Sequence, residues 1–349
     1  MQARIRDILQ LAADKSDFSG VCLVKRDDEI IYHQAFGLAH RGFEVANRIS
    51  TRFDTASITK LFTAIAIMQL VEQGLFGLDT AVMPFLERDD TKISNAVTVF
   101  HLLTHTSGIA DDADEEAGED YELLFVDKPN YSIRTTEAFL PQFAYKDPVF
   151  PPGNGVRYNN CAFVLLGLMI EKATGQAYRD YVRDHVFQRA GMTGADFCAM
   201  DGVHPDLAEG YKKGVAGDGG TTWTKNIYSY PPIGSPDGGA TVTAIDLDTF
   251  VRAIKADVLV NAASRQALFR PYVLARNHGD RKLMNGFGFE FTLTPEDRII
   301  AIHKDGGNAG VAGILAYFPD SDTTSILLAN QDCRVWPIHR EIEAVVLRA

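Results

Sequence analysis

The chain has 349 residues, 46% of them hydrophobic and 23% charged, the composition of an ordinary globular protein long enough for two lobes. Its net charge of −12 argues against nucleic acid or an anionic membrane surface as a partner. The four cysteines, Cys22, Cys161, Cys198 and Cys333, are scattered without a Cys-x-x-Cys pair, so they read as small core residues.

Residues 1–14 carry Ile5, Ile8, Leu9 and Leu11 at amphipathic helical spacing. A basic segment, an apolar run and a small-residue cleavage site are missing there, so a chain starting natively at Met1 is expected in the cytoplasm. A trimmed chain would instead be periplasmic or secreted. No stretch reaches the ~18 apolar residues of a membrane span; residues 61–71 come nearest and are broken by Gln69. Residues 20–25 and 30–36 read as a strand hairpin closed at Asp27-Asp28. A helix then runs from Ser57 to a stop at Gly74, a second over 161–174 closed by Gly175, and a third over 178–190. The acidic stretch 111–121 reads as a solvated loop or as a gate over a cleft. Strands over 298–303, 314–318 and 325–329, the first followed by a glycine-rich turn, precede a last helix over 335–347. Short connections imply an antiparallel sheet, with the two terminal helices on one face. The expected assembly is an α/β lobe from residues 1–56 and 225–349, with a mostly helical lobe, 57–224, inserted between.

Three motifs carry chemistry. In Ser57-Ile58-Thr59-Lys60 the serine and lysine, three apart, share one helical face. A serine hydroxyl needs a neighbouring base, and a lysine kept neutral by burial or nearby positive charge supplies one. Ser57 at a helix start also meets the positive end of the helix dipole. Tyr158-Asn159-Asn160 precedes the second helix. Beside an ammonium Tyr158 is expected to lose its proton more easily and act as a base, and Asn160 offers an amide to Lys60 or to a substrate carbonyl. Alone, a tyrosine in this position is more often a buried ring with one hydrogen bond. Lys304-Asp305-Gly306-Gly307 ends a predicted strand, where a backbone N–H facing that of Ser57 would make an oxyanion hole. Lys212-Lys213-Gly214 is a rival match, but it reads as a polar surface turn with no strand before it. His101 and His105, four apart, lack the glutamate of a His-Glu-x-x-His metal site, and Ser107-Gly108 is no Gly-x-Ser-x-Gly elbow.

In this order the motifs resemble those of the penicillin-recognising serine hydrolases: class C β-lactamases, D-alanyl-D-alanine peptidases and related esterases. The segment 101–109, Pro152-Gly153, Leu165-Leu166-Gly167, 208–211, Gly238-Gly239 with Asp246, and Gly286-Phe287-Gly288 extend the resemblance over residues 20–332. It implies a β-lactamase-like fold, an α/β lobe plus a helical lobe with the active site between them. It also implies an acyl-enzyme on Ser57 with Lys60 and Tyr158 moving the proton. Lys304 would hold the charge network, and the N–H groups of Ser57 and Gly307 would hold the oxyanion. The resemblance calls for no metal or organic cofactor. The partner it implies is a small-molecule ester, amide or lactam.

One departure bears on substrate. The family's third motif usually carries threonine or serine where this chain has Asp305, which removes a hydroxyl donor and repels a substrate carboxylate. Asp111, Asp112, Asp114, Glu115, Glu116, Glu119 and Asp120 add negative charge nearby. The expected activity is that of an esterase, amidase or D-amino-acid peptidase on neutral or cationic substrates. The alternatives are a β-lactamase or D,D-peptidase, and an idle binding or sensor module on the same fold.

Overall fold

The computed structural model describes residues 1–15 and 17–348. Strands β1 (Gly20–Arg26) and β2 (Glu29–Phe36) form the expected hairpin, with Asp27 in the left-handed region (φ 49°) that a tight turn demands. Five of the eight strands of the main sheet were legible: these two, β6 (Ile299–Asn308), β7 (Val311–Phe318) and β8 (Thr323–Ala329). The other three are short and of mixed composition, so they lack a strong apolar pattern: β3 (Val273–Asn277), β4 (Lys282–Asn285) and β5 (Glu290–Leu293). All neighbours are antiparallel, in the order β2-β1-β8-β7-β6-β5-β4-β3.

The period of two sorts side chains between two cores. Cys22 and Val24 of β1 and Leu327 of β8 pack with Ile5 and Leu9 of helix α1 (Gln2–Asp14) and Ile338 and Ile342 of α5 (Val335–Val346). Val21, Leu23, Ile326 and Leu328 face the opposite way, toward α2 (Lys60–Glu72), α3 (Cys161–Thr174) and α4 (Ala244–Lys255). Helix α2 is buried from Lys60 to Leu70 and apolar all round, as a central helix must be. Among the described residues no helix is long and apolar enough to cross a membrane.

Four local expectations are corrected. The glycine-rich segment is not a turn after His303: β6 continues through Asn308, because Gly306 and Gly307 pair with Gly313 and Ala312. Lys212-Lys213-Gly214 lies in a strand, Tyr211–Val215, paired with Thr221–Lys225, and not in a loop. The third helix runs over 178–190 as read, but its middle, Arg183–Gln188, is a π-helix rather than α-helix. The acidic stretch is not solvated throughout, since Asp111 and Asp112 are buried.

Candidate active site

Ser57 lies in a 3-10 turn, Ala56–Thr59, that runs directly into α2. With three residues per turn, positions i and i+3 eclipse, so the turn stacks Ser57 over Lys60 more directly than an α-helix would. The Lys60 ammonium donates to Ser57 Oγ at 3.0 Å, to Asn160 Oδ1 at 2.7 Å and to the Asp237 carbonyl at 2.6 Å. Gly167 on α3 makes the last contact possible, because a Cβ there would lie 2.1 Å from the Pro236 ring. Thr63 on α2 also donates to the Pro236 carbonyl at 2.6 Å. The Pro236–Asp237 backbone is thus clamped between two buried helices and aimed at the lysine.

Tyr158 and Asn160 are delivered by the start of α3. Asp111 accepts the N–H groups of Asn160 and Cys161, both at 2.9 Å, and Asn159 Oδ1 accepts that of Ala162 at 2.6 Å. These satisfy donors that a helix start leaves open. The Tyr158 hydroxyl reaches Ser57 Oγ at 2.6 Å. His105 stacks on Tyr158 with ring centroids 4.7 Å apart, and its Nδ1 accepts the Asn159 N–H at 3.2 Å. It is not on one helical face with His101, because His105 follows the helix Val99–Leu103 at φ 59°.

Lys304 comes from β6, buried, with its ammonium 4.7 Å from the Tyr158 ring centroid and bonded to Glu290 of β5. Asp305, the next residue, accepts the Trp336 indole N–H of α5 at 2.8 Å. Gly306 packs against the turn that carries Ser57: a Cβ there would lie 2.2 Å from the Thr55 carbonyl and 3.0 Å from Ser57 N. Gly307 has open space on the side a Cβ would take. Tyr158, Lys304, Asp305 and Gly307 line with Ser57 a cleft of about 1180 Å³. Gly307 and Asn160 line a second hollow of about 400 Å³ on the other side of Ser57. Glu115, whose carboxylate accepts the Asn160 amide at 2.7 Å, borders both.

Burial brings Lys60 down to about 8; the Asp237 carboxylate opposes this and the Lys304 charge assists it. Burial also pushes Tyr158 well above the ordinary phenol range, reinforced by Glu115 and only partly offset by its bond to Ser57. That corrects the expectation of an easily ionised tyrosine: the surrounding carboxylates and the low-dielectric setting outweigh the two lysines. Burial works against the Lys304 charge too, but Glu290 and Asp305 prevail and hold that amine above the usual lysine range. His105, squeezed by burial and both lysines, is held neutral far below the usual histidine range.

Sequence reasoning missed Asp237, Glu290, His105 and Asp111 as site-builders. Only Asp111 carried a signal, lying between Ile109-Ala110 and Ala113 rather than in a wholly polar run. Asp111, Asp112 and Cys161 bring ligand-type atoms within 4.8 Å of one another. Both Asp111 oxygens are taken by backbone N–H groups, and burial raises the pKa values of Asp112 and Cys161 well above their ordinary ranges, which disfavours the deprotonated ligands a metal needs.

The family described as Beta-lactamase matches residues 5–346. Penicillin-binding protein 4* of Bacillus subtilis is 27% identical over 338 residues, covering 94% of this chain and 71% of that protein. Esterase EstB of Burkholderia gladioli is 34% identical over 186 residues, 52% of this chain and 47% of its own. The crystal structure of a penicillin binding protein from Bacillus halodurans superposes with a TM-score of 0.89 at 38% identity, covering 97% of this chain and 99% of the other. The D-amino acid amidase of Ochrobactrum anthropi shares the fold, with a TM-score of 0.77 at 19% identity over 99% of this chain and 97% of its own. The match over nearly the whole chain establishes that it belongs to the β-lactamase family of penicillin-recognising serine hydrolases.

Proposed function

We propose that the protein hydrolyses esters or amides through an acyl-enzyme on Ser57. The observation that carries this reading is Ser57 Oγ held between the Lys60 amine at 3.0 Å and the Tyr158 hydroxyl at 2.6 Å. Lys60, brought down to about 8, is the readier base of the two. Its neutral amine takes the Ser57 proton as Oγ bonds the substrate carbonyl carbon. The N–H groups of Ser57 and Gly307 hold the resulting oxyanion. When the bond to the leaving group breaks, the Tyr158 hydroxyl gives it a proton and is reprotonated from the Lys60 ammonium. Water then repeats the sequence on the acyl-enzyme: its proton goes to Lys60, its oxygen bonds the acyl carbon, and as the acyl–Oγ bond breaks Ser57 Oγ takes a proton from Tyr158, itself reprotonated from Lys60, releasing the free acid. Asn160 orients Lys60, and Lys304 anchors the charge network.

Glu115, Glu290 and Asp305 surround Ser57 with negative charge, which favours neutral or cationic substrates. A second reading, a β-lactam-binding or D,D-peptidase enzyme, is favoured by the penicillin-binding relatives and by Arg276 and Arg340 in the outer wall of the cleft. The two-lobe division at residues 56/57 and 224/225 belongs to the same proposal.

Hydrolysis of p-nitrophenyl butyrate and of a chromogenic cephalosporin by the wild type and Ser57→Ala tests the reading. Ester turnover lost with Ser57, with little cephalosporin turnover, is the expected result. Fast cephalosporin turnover would move the protein to the second reading, and activity surviving in Ser57→Ala would remove the proposed nucleophile.

A further inference from the structure

Ala56, the residue before Ser57, has φ 42°, in the left-handed region that side chains with a Cβ avoid. Such a conformation persists only when its surroundings impose it. Asp54 Oδ1 accepts the Ala56 N–H at 2.7 Å, and the Ala56 carbonyl accepts the Gly239 N–H at 3.3 Å. The Tyr230 hydroxyl also interacts with the Asp54 carboxylate and favours its charged form, and it accepts from Asn226 Nδ2 at 2.7 Å. That same Asn226 amide donates to the Ala309 carbonyl at 2.9 Å, in the turn two residues beyond Gly307. The Tyr230 ring packs with Ala56 and with Val311, the first residue of β7. Gly210 leaves room for the asparagine, since a Cβ there would lie 2.0 Å from its Nδ2.

A polar chain, half-buried at Asp54 and buried at Tyr230 and Asn226, thus runs from the backbone before Ser57 to the backbone after Gly307. We propose that Asp54, Tyr230 and Asn226 are positioning residues that fix the N–H of Ser57 against the N–H of Gly307. The proposal rests on the reading that these two groups bind the oxyanion. The three side chains act through backbone, on the donor-to-donor geometry, because their bonds run to Ala56 and Ala309. Charge developing on the substrate oxygen is stabilised only when both donors point at one spot, so a small shift of either is felt in the transition state.

The test compares kcat/KM for p-nitrophenyl butyrate with the affinity for phenylboronic acid in the wild type, Ser57→Ala, Asp54→Ala, Asp54→Asn and Tyr230→Phe. The boron bonds to Ser57 Oγ as its proton passes to the base, giving a tetrahedral adduct that loads the same donors. Tyr230→Phe and Asp54→Ala are expected to lower kcat/KM by about 10- to 100-fold and to weaken the boronate in parallel. Asp54→Asn keeps an oxygen for the Ala56 N–H and is expected within about 5-fold of wild type. Wild-type turnover in Tyr230→Phe overturns the proposal. So does lost turnover with unchanged boronate affinity, or Asp54→Asn as damaged as Asp54→Ala. Should Asp54→Ala not fold, Tyr230→Phe, which removes one oxygen, decides alone. Ester turnover surviving in Ser57→Ala would overturn the underlying reading as well, whereas a dead Ser57→Ala beside an unaffected Tyr230→Phe would overturn the relay only.

Discussion

The Lys304 ammonium lies 4.7 Å from the centroid of the Tyr158 ring, and the Lys60 ammonium lies 5.0 Å from the same centroid. Two lysines thus share one aromatic ring, and each makes the other harder to protonate. The structure resolves the competition unequally. Glu290 bonds Lys304 and keeps it charged, while Lys60 has neutral oxygens as partners and falls to about 8.

The sign of the pH dependence follows. Below about 8 Lys60 is protonated and cannot accept the Ser57 proton, so kcat/KM is expected to rise as pH climbs through about 8. Lys304→Met removes a positive charge that lowers Lys60, and its acid limb is expected at higher pH. A limb that stays put or moves down in Lys304→Met would rule out Lys60 as the titrating base.

Gly306 and Gly307 are expected to behave in opposite ways despite being adjacent. Gly306→Ala drives a Cβ into the Thr55 carbonyl at 2.2 Å, backbone against backbone, and is expected to lose about 3 kcal/mol along with activity. Gly307→Ala meets nothing within 4 Å and is expected to melt like wild type. Thermal melts of the two variants check this, and equal stabilities would contradict the packing of β6 on the turn that carries Ser57.

Glu290→Gln would leave the buried Lys304 ammonium without its bonded carboxylate. Breaking a buried pair in this way costs about 3 kcal/mol, the low end of the usual range because Glu290 is a quarter exposed. The variant is expected to unfold at lower urea, and to gain on anionic esters relative to neutral ones. Unchanged stability would mean that the pair is solvent-screened.

Asp305→Thr tests the charge of the cleft. Removing this carboxylate is expected to improve the kcat/KM ratio of a carboxylate-bearing ester to its neutral analogue by about 10-fold. Trp336→Phe, which breaks only the indole bond to Asp305, controls for the changed contact with α5. An unchanged ratio in Asp305→Thr would remove the electrostatic argument for neutral or cationic substrates.

The Ser57–Lys60 pair and the central helix were legible because their relationship is local. Three residues of spacing suffice to bring Ser57 and Lys60 together, and a largely apolar run marks α2 as buried. The strands β1, β2 and β8 were legible from their apolar runs and β6 and β7 in part, whereas β3, β4 and β5 were hidden because each is only four or five residues long and mixes polar with apolar side chains. β6 was cut short because two glycines read as a turn when nothing in the chain announced Gly313 and Ala312 as their pairing partners.

By itself the sequence determined the reactive pair, the order of the three motifs and the alternation that builds the sheet, since each depends on near neighbours along the chain. Tertiary structure alone decided what those residues are chemically. It brought Tyr158, 101 positions away, to 2.6 Å from Ser57 and set the Asp237 carbonyl on Lys60. It also buried Asp111 as a helix cap and gave Glu290 to Lys304. A pKa depends on burial and on charges within a few ångströms, and only the folded chain fixes those distances.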